Sequence, residues 1–128
     1  MRPWRWVHRE ALLLLHDESL AEHGGATGIR DEGLLDSALA RPRNLALHEH
    51  PDAARLAASY AMGLARNHPF MDGNKRAAFL SVGLFLGLNG YRLKVSQVDA
   101  TWAVLGLAAG EIGEDEFADW IRAHLQPR

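Results

Sequence analysis

Apolar residues along the chain recur at helical spacing and predict six helices with almost no strand. Val7, Ala11, Leu14 and Leu15 mark the first, which stops at Gly24-Gly25, where glycine adopts a left-handed cap without steric cost. Asp31 is placed to cap a second helix carrying Leu34, Leu35, Ala38 and Leu39. That helix is expected to end near Arg41, because Pro42 disfavours helical geometry in the residue before it, and Pro42 to His50 then reads as a polar loop. Pro51 suits the first turn of a third helix, continued by Leu56, Tyr60, Met62 and Leu64 until Pro69 forces His68 out of helical geometry. A fourth helix opens around Asn74 and runs through Phe79, Leu80, Leu84, Phe85 and Leu88 to the stop at Asn89-Gly90. It is apolar nearly all round, so it is expected at the centre of the bundle, with its N-terminal loop held by the most buried element. Ser96 to Asp99 has the form of a capping box for a fifth helix ending at Gly110, and Glu114, Asp115 and Glu116 lead a sixth ending with Arg122 and His124. The strand signal is confined to Tyr91 to Lys94. The expected fold is all-α, a single bundle of about six helices forming one domain over residues 1–128.

Composition narrows the function. The chain has 128 residues, 48% of them hydrophobic, enough for one core. Its net charge of -2 lacks the basic excess that neutralising many phosphates demands, so direct nucleic-acid binding is not expected. The absence of cysteine excludes disulfides and thiolate metal sites. The nearly apolar run from Ala77 to Leu88 falls short of the ~20 residues that span a bilayer, so it reads as a buried helix, and Gly83 and Gly87 within it read as a close helix contact. Met1 to Trp6 runs into His8-Arg9-Glu10 without an apolar leader core, and the expected location is cytoplasmic, with no membrane partner.

One segment breaks a rule. Anions are favoured at a helix N-terminus and cations at its C-terminus, by ~0.3–1 kcal/mol per charge, and the sixth helix obeys this. The fourth instead carries Lys75 and Arg76 in its first turn, after Gly73-Asn74. Free backbone N–H groups, the dipole and two cations together make a phosphate site, and Gly73 removes the side chain that would keep a phosphate at a distance. His68 stands nearby as a candidate base and Asp72 as a hard oxygen ligand suited to magnesium shared with phosphate oxygens. These are parts of a phosphoryl or nucleotidyl transfer centre, chemistry that needs positioning and charge neutralisation more than covalent catalysis. Plainer readings stand beside this one. Asp72 fits the N-cap of the fourth helix, His68 a loop histidine bonded to a carbonyl, Lys75 and Arg76 two solvated cations, and Phe70 a core anchor. His48-Glu49-His50 reads as a solvated loop rather than a metal site, and the residues around Gly73-Asn74-Lys75 do not make a Walker A loop.

The run His68-Pro69-Phe70-Met71-Asp72-Gly73-Asn74-Lys75-Arg76 resembles the signature of the Fic/Doc family in its Doc variant. The resemblance extends to Gly28-Ile29-Arg30-Asp31, Ala40-Arg41-Pro42, Asn67-His68-Pro69 and Leu88-Asn89-Gly90-Tyr91. Fic enzymes, which transfer AMP from ATP to protein hydroxyls, have glycine and a second arginine where this chain has Lys75 and Phe79, and both departures point away from AMP transfer. Similarity to the Doc branch implies a toxin kinase that uses ATP and Mg²⁺ to phosphorylate a threonine of elongation factor Tu and so stop translation. It also implies a cognate, Phd-like antitoxin whose C-terminal segment folds onto the toxin. Carried over by position, His68 would be the base, Asp72 the magnesium ligand, and Gly73, Asn74, Lys75 and Arg76 the phosphate-binding residues, with Lys75 and Arg76 also counted catalytic. Gly73 is itself Fic-like, since many Doc proteins have alanine there.

Three other readings compete with a kinase. An AMP transferase would leave a different part of ATP on the target, a metal-dependent nuclease is disfavoured by the acidic balance, and a binding module would keep the loop only as an anion-stabilised cap.

Overall fold

The axis of the molecule is α3 (Ala53–Asn67), from which eleven residues are buried, among them Leu56, Tyr60 and Leu64. Around it pack α1 (Arg9–His23), α2 (Glu32–His48), α4 (Asn74–Leu88), α5 (Gln97–Ala109) and α6 (Glu114–His124). A single apolar cluster draws on all six helices, including Leu12, Leu35, Phe85, Leu107, Phe117 and Ile121. The fold is therefore an all-α bundle, in a computed structural model that describes residues 3–128. Met1 and Arg2, with which the leader reading began, lie outside the described residues. Among those residues no helix is long and apolar enough to cross a membrane.

Local chemistry accounts for several boundaries. Asp31 accepts a hydrogen bond from the Leu34 N–H at 2.9 Å and Ser96 accepts one from Asp99 at 3.1 Å, as the sequence predicts for two N-caps. The strand signal at Tyr91 is real. β1 (Tyr91–Leu93) pairs antiparallel with β2 (Leu125–Pro127), so the chain's end closes over the end of α4. The Tyr60 hydroxyl accepts the Val7 N–H at 3.0 Å, tethering the N-terminal segment, whose Trp4 and Trp6 pack on Phe85.

Several expectations fail for physical reasons. Pro42 does not end α2. It lies buried inside the helix, which continues to His48, so Pro42 to His48 is helical rather than a loop. A proline sacrifices one intrahelical hydrogen bond, and burying Pro42 with Leu35 and Ala38 offsets that loss. Pro51 lies outside α3, because Asp52 takes the cap and its carboxylate accepts the Arg55 N–H at 2.9 Å. The buried stripe of α1 is Leu12, His16 and Leu20, not Val7, Ala11, Leu14 and Leu15; Leu14 is exposed and Val7 precedes the helix. Four successive leucines leave the face undetermined, and the stripe includes a histidine that a hydrophobic pattern passes over. The most buried helix is α3 rather than α4, one side of which stays open. Gly83 has nothing within reach of an added Cβ, so the Gly83 and Gly87 pair does not make a close helix contact. That contact is at Gly63, where a Cβ would come within 3.0 Å of Ala38 on α2.

Candidate active site

The segment between α3 and α4 leaves the most buried helix and enters the one beside it, so both of its ends are anchored. His68 is the C-cap of α3, with φ 51° and ψ 55°. Pro69 disfavours right-handed helical geometry at the preceding residue, and the chain answers with a left-handed turn, not the extended one such a residue usually takes. His68 is the one non-glycine residue at positive φ among the described residues, a conformation that costs roughly 1–2 kcal/mol. Its side chain is exposed, whereas Pro69 and Phe70 are buried.

Phe70 is the anchor that the plainer reading expects, 2% exposed and packed at a tilt on His16 of α1 with ring centroids 4.0 Å apart. The Asn74 side chain staples the loop from the other end. Its carbonyl oxygen accepts the Phe70 N–H at 2.9 Å and its amide donates to the Phe70 carbonyl at 3.2 Å. The Asn74 amide is thus committed to the loop, and its backbone N–H is what it can offer an anion. A strap from residues 28–31 runs alongside. Met71 donates its N–H to the Gly28 carbonyl at 3.0 Å, Arg30 and Asp31 both donate theirs to the Pro69 carbonyl, and Ile29 and Phe70 form a β-bridge.

Asp72 does not cap α4. The N-cap is Gly73, at φ 72° and ψ 27°, and it makes no side-chain cap bond. The exposed Asp72 carboxylate instead accepts the Gly73 N–H at 2.9 Å and the Ala26 N–H at 3.3 Å. Gly25 makes the second approach possible, since an added Cβ would lie 3.0 Å from an Asp72 oxygen. Each carboxylate oxygen keeps lone pairs beyond these bonds, so the donor chemistry fits a magnesium ion shared with phosphate oxygens. Among the described residues no cluster of three or more His, Cys, Asp or Glu could hold a metal, so the fit depends on that sharing.

The first backbone N–H of α4 to find a helical partner is that of Ala77, donated to the Gly73 carbonyl at 2.9 Å. Those of Asn74, Lys75 and Arg76 precede it and are free for an anion, in the field of the helix dipole. The Lys75 side chain is exposed and that of Arg76 half-buried. With Phe79 they wall a cavity of about 240 Å³ whose far side is Ala100, Thr101 and Val104 of α5. The outer face of the α4 entrance is therefore a cationic rim leading into an apolar pocket.

His16 escapes the sequence reading altogether. It is 1% exposed, neither ring nitrogen has a hydrogen-bond partner, and its Cε1 lies 2.8 Å from where a Cβ on Gly73 would sit. Burial pushes its pKa down, opposed in part by the Asp72 backbone and the Asp17 and Asp72 carboxylates. Its position three residues after Leu13 and four after Leu12 is the signal that was available. Gly73 thus serves two ends, a left-handed cap and room for the ring beneath it.

Comparison with known proteins finds similarity over most of the chain. The family model described as "Fic/DOC family" matches residues 6–86. The chain is 36% identical over 119 residues to "Protein kinase doc" of Escherichia phage P1, covering 92% of this chain and 94% of that protein. It is 43% identical over 72 residues to "Toxin Doc" of Mycolicibacterium smegmatis, 55% of each.

Proposed function

The chain belongs to the Fic/Doc family, and from that premise we propose that it is a Doc-type toxin, a kinase that moves the γ-phosphate of ATP onto a protein hydroxyl. The observation that carries the reading is the entrance to α4. It begins six residues after a left-handed His68 and two after Asp72, leaves the N–H groups of Asn74, Lys75 and Arg76 unpaired, and carries two cations in its first turn.

In this reading the free N–H groups and the two cations hold the phosphates, and the pocket between α4 and α5 receives the rest of the nucleotide. Asp72 would hold Mg²⁺, which supplies charge neutralisation at the phosphate oxygens when bound. His68 accepts the proton of the target hydroxyl. The hydroxyl oxygen then bonds to the γ-phosphorus, the bond from that phosphorus to the β,γ-bridging oxygen breaks, and ADP leaves with the electron pair. Lys75 and Arg76 stabilise the charge that develops. Residues 1–128 act as one domain, the target is a threonine of elongation factor Tu, translation is what the reaction halts, and a Phd-like antitoxin restrains it in the cytoplasm. The name of the phage relative, a protein kinase, and that of the mycobacterial relative, a toxin, support the reading.

The test supplies ATP labelled on either the γ- or the α-phosphate to the purified protein with magnesium and elongation factor Tu, with His68→Ala as control. Label from γ alone, lost in the variant, is the expected result. Label from α alone would replace the kinase with an AMP transferase, a reading to which the Fic-like Gly73 lends weight, and label from neither would favour a binding module.

A further inference from the structure

The side chain of Arg30 forms a fork on the end of α3. Its Nε donates to the His68 carbonyl at 2.7 Å and its Nη2 to the Asn67 carbonyl at 2.9 Å. These carbonyls belong to the peptide planes on either side of the His68 Cα. The rotations between two such planes are φ and ψ of that residue, so a rigid group bonded to both planes constrains both angles at once. The next carbonyl, that of Pro69, is taken by the backbone N–H groups of Arg30 and Asp31 at 2.7 and 3.1 Å. Three successive peptide planes are thus held from one point of the strap.

We propose that Arg30 is a positioning residue for the transfer reaction, holding His68 in its left-handed conformation so that the imidazole faces the phosphate site at the start of α4. The left-handed backbone at residue 68 is one that histidine does not favour by itself, and Pro69 only disfavours the right-handed alternative while leaving the extended one open. The fork selects between those two. It also places a cation on the C-terminal carbonyls of α3, where the helix dipole favours it. Lysine has the charge but not the planar pair of donors, so it satisfies the dipole without fixing the two planes.

The inference rests on the kinase reading for its activity arm, and its structural arm stands apart from that reading. Arg30→Ala and Arg30→Lys are compared with the parent protein in γ-phosphate transfer, in thermal midpoint and in the His68 coupling between amide and α protons, which reports φ. The expected outcome is a kcat lower by roughly tenfold to a hundredfold in both variants, with the KM for ATP within about twofold, as for a misplaced reacting group. The His68 coupling shifts in both, and added methylguanidinium restores part of the rate in Arg30→Ala alone. An unchanged kcat with unchanged coupling would overturn the proposal. So would a rise in KM without loss of kcat, which makes Arg30 a nucleotide contact, or a loss in proportion to the thermal midpoint without rescue, which makes it merely structural. Should the parent protein transfer no γ-phosphate, the kinase reading falls and the coupling alone decides. A shift in Arg30→Ala then supports the clamp, and no shift refutes it.

Discussion

His16 and Phe70 pack ring against ring, tilted by 34° with centroids 4.0 Å apart, tying α1 to the floor of the loop that carries His68 and Asp72. The imidazole is sealed from solvent and neither nitrogen is bonded, so the contact depends on the ring remaining uncharged.

That requirement predicts a pH dependence of stability. Burial lowers the folded-state pKa of His16 below its ordinary 6.5, so the unfolded chain takes up the proton first as pH falls. Its contribution is complete above pH 6.5 and declines below that value until the folded pKa is reached, at up to about 1.4 kcal/mol per pH unit. Urea unfolding between pH 7.5 and 5.5 is expected to show a shallower decline in His16→Phe than in the parent. Parallel curves would dismiss the idea.

Gly73 and His16 should be coupled in energy. Gly73→Ala places a methyl group 2.8 Å from the His16 Cε1 at a positive φ, and is expected to cost about 2 kcal/mol or more. The double variant with His16→Ala should lose less than the two single losses added together. A double-mutant cycle by chemical denaturation measures this, and strict additivity would show that the ring and the glycine do not interact.

Glu114 at the start of α6 bonds Arg41 of α2 and Arg55 of α3, both at 2.6 Å. Burial alone would raise its pKa, but the two guanidinium groups prevail and hold it below the ordinary 4.5. The ion pairs therefore contribute fully above pH 4.5, and the contribution fades as pH falls through the lower folded value. Glu114→Gln is expected to cost about 1–3 kcal/mol at pH 7 and much less near pH 3. A penalty as large in acid as at neutrality would show that shape, not charge, sets it.

The pocket beside Lys75 and Arg76 offers a test of nucleotide placement that spares the loop. Thr101→Trp fills the α5 side of the 240 Å³ cavity and should raise the KM for ATP about tenfold, equivalent to about 1.4 kcal/mol. Lys75→Ala should weaken ATP binding in calorimetry by at least as much. Tight ATP binding to Thr101→Trp would move the nucleotide elsewhere.

The number of helices, the caps at Asp31 and Ser96, the exit at His68 and the reversed charge at the start of α4 were legible in the chain alone, because each follows from interactions within a few residues. Local signals misled where burial outweighed them, as when Pro42 stayed inside α2 and Asp52 displaced Pro51 from the start of α3. Helix packing, by contrast, is what puts His16 beneath the loop, turns Asp72 to the Ala26 N–H rather than to a helix cap, and brings Arg30 to the end of α3. Those contacts join positions 38 to 54 residues apart, and a side chain's partner at such separations depends on how whole helices pack, which no spacing within one helix encodes.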